Sequence, residues 1–285
     1  MDVSGKTALL TGATGGLGRE IASALAGRGA RLVLSSRKQA ELEQLAAELP
    51  GGPHRTVVSD LAEPGAVESL LAEAGEVEVL IANAGLPGTG RLEDFGDDAI
   101  ERTLRVNLEA PILMARALVP AMRERGAGHL VFIASLAGKA ASPRSSVYNA
   151  TKFGLRGFAL GLRADLAASP VGVSLVSPGF VREAGMFAAS GAESPAGLGT
   201  AHPEQVGAAV LEAIEKDRLE LAIAPIQQRV MAHVGLALPG VAHKVQSGKA
   251  GQRAAESVAS GHARSDSDSS GAGPSGSAAD SSRPE

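Results

Sequence analysis

The chain has no cysteine, no tryptophan, a single tyrosine and only 2% aromatic residues. Without cysteine there is no disulfide, no thiolate nucleophile and no Cys-based metal site. The scarcity of aromatics leaves no stacking platform for bases. Lys and Arg number 27 against 31 Asp and Glu, a formal net charge of -4, so no general basic attraction exists for nucleic acid or anionic lipid. The six histidines (His54, His129, His202, His233, His243, His262) include no close ligand pair, and no metal is expected. The most apolar late stretch, 230–242, is short and interrupted by Pro239, so no transmembrane segment is expected. Residues 1–4 lead almost directly into an apolar run, which leaves no room for a secretory signal, and a cytoplasmic protein is expected.

What is present is a core-forming composition, 44% hydrophobic and 20% charged, built mainly from Ala, Leu and Val. Short continuous apolar runs predict strands at 7–11, 31–35, 56–59, 77–82, 130–134, 171–176 and 219–224. Between them lie helical patterns: one ending near 26, then 39–49, 67–74 with Pro64 suited to its start, 99–125, 146–168 and 202–215. The region 99–125 is expected to bend at Pro111 or Pro120. Strands that read as unbroken apolar runs belong to a parallel sheet covered on both faces, so the fold class is α/β, doubly wound. One main domain is expected over 1–226, a helical appendage over 227–246, and a disordered Ser/Gly-rich tail over 247–285, whose polar composition offers little to offset ordering entropy.

The first predicted strand runs into Thr11-Gly12-Ala13-Thr14-Gly15-Gly16-Leu17-Gly18. Alone, such a cluster only joins a strand to a helix. At this place in an α/β repeat it lets a pyrophosphate approach the N–H groups of a helix start. The second strand ends at Ser35-Ser36-Arg37-Lys38. A carboxylate there would favour the free ribose of NAD. Ser36 avoids repelling a 2′-phosphate and Arg37 can pair with one, so NADP(H) is the expected cofactor. Asp60, with Leu61 beside it, follows strand three and can accept from an adenine amino group. Asn83-Ala84-Gly85 follows strand four and lets the chain pass close to the cofactor ribose.

Tyr148 and Lys152 are four apart, hence on one face of a predicted helix, and Ser135 stands just beyond strand five. Together they offer a hydroxyl to orient a carbonyl, a phenol to give a proton, and an ammonium to ease ionisation of a phenol whose ordinary pKa is about 10.

These residues resemble the short-chain dehydrogenase/reductase family. The glycine motif matches at Thr11, Gly12, Gly16 and Gly18, the active-site motif at Tyr148-Asn149-Ala150-Thr151-Lys152, and Ser135 has the family's spacing. The resemblance covers about 5–224 and implies a Rossmann-like sheet and an NADP-binding catalytic domain. It implies that Asn107 holds a water leading from Lys152 toward solvent, and that Lys152 also contacts ribose hydroxyls. By the same resemblance Leu17 contributes a backbone contact, Pro178-Gly179-Phe180-Val181 runs beside the nicotinamide, and Val181 fixes the carboxamide. It implies a homodimer or homotetramer formed through the helices of Asn107 and Tyr148. Three residues depart from the pattern: Gly15 where a basic residue is frequent, Ala82 in place of an asparagine, and Glu183 where a threonine usually stands.

The expected activity is hydride exchange with a small-molecule ketone or alcohol substrate. Leu86, Leu136, Phe180, Met186 and Phe187 are candidate apolar contacts, and 183–199 is a candidate mobile lid. The appendage fits a pocket cover, an oligomer contact or a weak membrane-surface segment. The tail fits a dispensable extension or a regulatory one. The competing function is an NADP(H)-binding regulatory or scaffold protein with little turnover.

Overall fold

The predicted strands form one sheet in the computed structural model, which describes residues 1–192, 194 and 197–270. They are β1 (Thr7–Thr11), β2 (Arg31–Ser36), β3 (Arg55–Val58), β4 (Val79–Ala82), β5 (Gly128–Ile133), β6 (Val171–Pro178) and β7 (Glu220–Ile223). Every pairing is parallel, in the order β3-β2-β1-β4-β5-β6-β7.

Side chains alternate across each strand, so the sheet feeds two cores. Ala8 and Leu10 pack on the face covered by α1 (Gly16–Gly27), α2 (Gln39–Glu48) and α8 (Pro203–Glu215). Leu9 packs on the other face with α3 (Ala66–Ala74), α5 (Ala110–Arg125) and α6 (Ser146–Asp165). With helices on both sides the fold is a Rossmann-like doubly wound sheet. Successive strands run outward from β1 in one direction and from β4 in the other. The loops that follow these two strands therefore part, opening a crevice at the carboxyl ends where ligands of such sheets bind. No helix among the described residues is long and apolar enough to cross a membrane.

The region 99–125 is helical throughout as expected, α4 (Asp97–Leu104) running into α5 through a π-helical turn at Arg105–Glu109 that the sequence did not specify. Within it the Ala110 N–H bonds the Arg105 carbonyl five residues back. Pro111 has no N–H to offer the Asn107 carbonyl four residues back, so ordinary helical bonding fails at this point.

The tail expected to be disordered from 247 includes a helix, α11 (Lys249–Ser270), while 271–285 lie outside the described residues. Composition alone undervalues α11 because tertiary contacts hold it: Gly261 packs on Ser190, and His262 is buried. The appendage is two helices, α9 (Ile226–Ala237) and α10 (Pro239–Gln246), divided where Pro239 opens the second. Of the candidate lid, 185–189 form the short helix α7 (Gly185–Ala189), and residues 193, 195 and 196 lie outside the described residues.

One buried histidine ties the sheet to pH. His129 in β5 lies 2.8 Å (Nε2) from Ser174 Oγ, which in turn donates to the Ala213 carbonyl. Burial lowers its pKa from 6.5 to about 4, against the opposing pull of Asp217. The unfolded chain therefore takes this proton first. Stability is full above pH 6.5 and falls as pH drops from 6.5 to 4, by about 3 kcal/mol in all. His129→Gln should remove that part of the acid slope. Urea unfolding of both proteins at pH 7 and 4.5 checks it, and equal losses would assign the slope to other groups.

Candidate active site

The turn after β1 and the chain after β4 are pressed together. Gly12 has φ +64°, and a Cβ there would stand 2.8 Å from the Ala84 Cα; one at Gly18 would stand 2.2 Å from the Gly12 carbonyl oxygen. Thr11 Oγ1 accepts from the N–H groups of Asn83 and Ala84, both at 3.1 Å. The Asn83 amide donates to the carbonyls of Thr11 and Gly12 at 3.0 and 3.1 Å. Asn83 thus clasps β4 to the glycine turn. Gly16 meets a third segment, since a Cβ there would lie 2.8 Å from the Ala184 Cβ, and Leu17 packs beside Gly185. Gly15 caps α1 in extended backbone.

At the ends of β2 and β3, the exposed Arg37 guanidinium lies 3.9 Å from Asp60 Oδ2. The other Asp60 oxygen accepts from the Ala62 N–H at 3.0 Å, and Ser36 Oγ accepts from the Lys38 N–H. Leu61 is buried. Arg102, from α4, reaches the same Asp60 oxygen at 3.3 Å. Sequence reading missed Arg102: it lies 42 residues from Asp60 and carries no local motif.

On the other side of the crevice, α6 carries Tyr148 and Lys152. A short 3-10 turn, Leu136–Gly138, brings Ser135 to them. Gly138 makes this possible, because a Cβ there would lie 2.6 Å from the Lys152 carbonyl oxygen. Burial raises the Tyr148 pKa above its ordinary 10, and a hydrogen bond from Ser135 pulls the other way. The Lys152 ammonium is 5.6 Å from the Tyr148 ring centroid and donates to the Ile133 carbonyl at 3.0 Å. Among the described residues no carboxylate pairs with it, and burial lowers its pKa to about 8.

Asn107 sits in the π-helical turn, fully buried. Its Oδ1 accepts from the Leu86 N–H at 2.7 Å, and its Nδ2 donates to the Leu86 carbonyl at 2.9 Å and to Thr151 Oγ1 at 3.3 Å. It therefore locks the chain after β4 to the helix of Tyr148. Pro111, four residues on and one of the two prolines expected to perturb this helix, locates the turn.

The third wall follows β6. Pro178 ends the strand, the Gly179 N–H donates to the Ile223 carbonyl, and Val181 is buried. Buried Gln228 of α9 accepts from the Phe180 N–H at 3.0 Å and donates to the carbonyls of Leu198 and Gly199. The rings of Phe180 and Phe187 stack at 4.6 Å. Met186 reaches inward, its Cε 2.9 Å from where a Gly85 Cβ would be. Leu86 and Leu136 are half-buried near Asn107 and Ser135. Glu183 is exposed with φ 63°, and Arg182 donates to Thr200 rather than to it. The carboxylate is turned toward solvent.

Residues 6–194 match the family model described as short chain dehydrogenase. The chain is 37% identical over 227 residues to a protein named ketoacyl reductase HetN from Nostoc sp., covering 78% of this chain and 79% of the relative. It is 34% identical over 261 residues to dehydrogenase/reductase SDR family member 7B of Bos taurus, covering 85% and 80%. A solved structure titled a putative betaketoacyl-ACP reductase superposes with TM-score 0.71 at 30% identity, covering 83% of this chain and 100% of that one.

Proposed function

The chain belongs to the short-chain dehydrogenase/reductase family, and on that footing we propose that it is an NADP(H)-dependent oxidoreductase exchanging a hydride with an apolar ketone or secondary alcohol. The observation that carries the reading is the buried, carboxylate-free Lys152 one turn from the chain's only tyrosine, with Ser135 beside the phenol. A buried ammonium with spare donors is costly unless a ligand supplies acceptors, and ribose hydroxyls are such acceptors.

In this reading Gly12, Gly16, Leu17 and Gly18 hold the pyrophosphate of NADP(H), and Ser36 and Arg37 its 2′-phosphate. Asp60 and Leu61 meet the adenine, Asn83, Ala84 and Gly85 line the ribose, and Pro178, Gly179 and Val181 flank the nicotinamide. NADP(H) supplies the hydride. Tyr148 gives its proton to the carbonyl oxygen, and Ser135 donates a hydrogen bond as negative charge develops there. Lys152 favours the tyrosinate left behind, and Asn107 holds the route by which the proton returns. Leu86, Leu136, Phe180, Met186 and Phe187 make the substrate wall apolar, which suits a ketone on an acyl chain. Association as a dimer or tetramer is supported by Leu104 on α4 and Phe153 on α6, apolar side chains left 40% and 39% exposed.

NADPH consumption across ketones of graded size and polarity tests the proposal. Turnover sustains it; an inert protein that binds NADPH tightly would sink it in favour of a binding role. Arg37→Ala should weaken NADPH binding about 10- to 100-fold, the scale of a charge-assisted hydrogen bond, and leave NADH nearly untouched. Fluorescence titration with both nucleotides decides, and equal losses would remove Arg37 from the phosphate site.

A further inference from the structure

The carboxyl-terminal helix reaches the mouth of this crevice. Buried His262 of α11 places its Nε2 2.7 Å from the Met186 carbonyl and its Nδ1 2.7 Å from Thr89 Oγ1. A carbonyl only accepts, so Nε2 carries the hydrogen and Nδ1 accepts from the threonine hydroxyl. The two partners stand on opposite rims. Thr89 follows Gly88, whose carbonyl accepts the Tyr148 N–H. Met186 belongs to α7, and its Cε lies against Gly85, close to where Asn107 and Lys152 converge.

Two further contacts fix the helix in this position. A Cβ at Gly261 would fall 1.7 Å from the Ser190 carbonyl oxygen, so α11 touches the end of α7 backbone to backbone. Glu256 pairs with Arg144, in the loop leading into α6, at 3.0 Å. Helix α11 thus touches the loops beyond β4, β5 and β6, the three that border Tyr148.

Building on the reductase reading, we propose that His262 is a specificity-determining positioning residue, which ties α11 across the crevice and fixes Met186 where it limits the size of the ketone admitted. A helix that only packed against the domain would not need to join both rims through one imidazole. The hydrogen bonds set where the Met186 backbone lies, and that decides how far its side chain enters.

The test uses the full chain with His262→Ala and His262→Gln. A glutamine amide again offers one donor and one acceptor, so it should restore what alanine loses. Hydrogen exchange at Ser190 and Gly191, whose N–H groups bond carbonyls of α7, should quicken about tenfold in the alanine variant, the scale of one lost hydrogen bond. Its KM should rise for small ketones with less change in kcat, and the preference should move about tenfold toward bulky ones. Unaltered exchange and size preference would overturn the proposal, as would equal damage by alanine and glutamine. A parent inert toward every ketone would sink the reductase reading alone, because exchange still reports whether His262 holds α7.

Discussion

Tyr148→Phe should lower ketone reduction by about 100- to 10,000-fold, the range of a positioned general acid, while NADPH binds within about twofold of the parent. The substitution removes one oxygen and keeps the ring that fills the site. No other tyrosine exists to replace it. Burial holds the phenol above its ordinary pKa, so it is protonated and ready to donate across the neutral range. Ser135 remains to polarise a carbonyl, but its hydroxyl alone does not complete the transfer. Steady-state rates beside a fluorescence titration separate the two effects. Retention of more than about a tenth of the turnover would mean that water supplies the proton, and the assigned role would fall.

Lys152→Met should lower turnover by about 100-fold or more and, unlike most buried substitutions, leave the fold no less stable at pH 7. Burial brings the lysine from 10.5 to about 8. Between these values the unfolded chain holds the proton that the folded chain has lost, so stability rises with pH over that window. Below pH 8 the buried ammonium costs about 3 kcal/mol. Methionine removes this cost, offset by the Ile133 carbonyl that loses its donor, about 1–3 kcal/mol. The stability gap between the proteins should therefore shift against the variant as pH rises from 8 to 10.5. Thermal unfolding across that range measures it. A variant several kcal/mol weaker at every pH would show that Lys152 is a structural residue instead.

Much of the architecture was legible because it rests on local signals. Most strands are apolar runs, and the glycine turn, Ser135 and the Tyr148–Lys152 pair lie at the ends or on the single face that such signals locate. Other features depend on residues far apart in the chain. The role of Asn83 as a clasp depends on β1 and β4 lying side by side though their paired residues are 71 apart, and Arg102 reaches Asp60 only when α4 docks. The outward turn of Glu183 is a backbone choice made by its surroundings.

The sequence by itself determined the doubly wound sheet, the placing of its glycine turn and the Ser135, Tyr148 and Lys152 set, because hydrophobic period and short motifs are written in neighbouring residues. Tertiary structure alone decided the hydrogen-bond partners of Asn107, the lowered pKa of Lys152 and the helical course of 249–270. Each follows from burial and from partners supplied by distant segments: Leu86 and Thr151 for Asn107, the burial of its ammonium beside the Ile133 carbonyl for Lys152, Ser190, Met186 and Thr89 for α11. No window of neighbouring residues contains those partners.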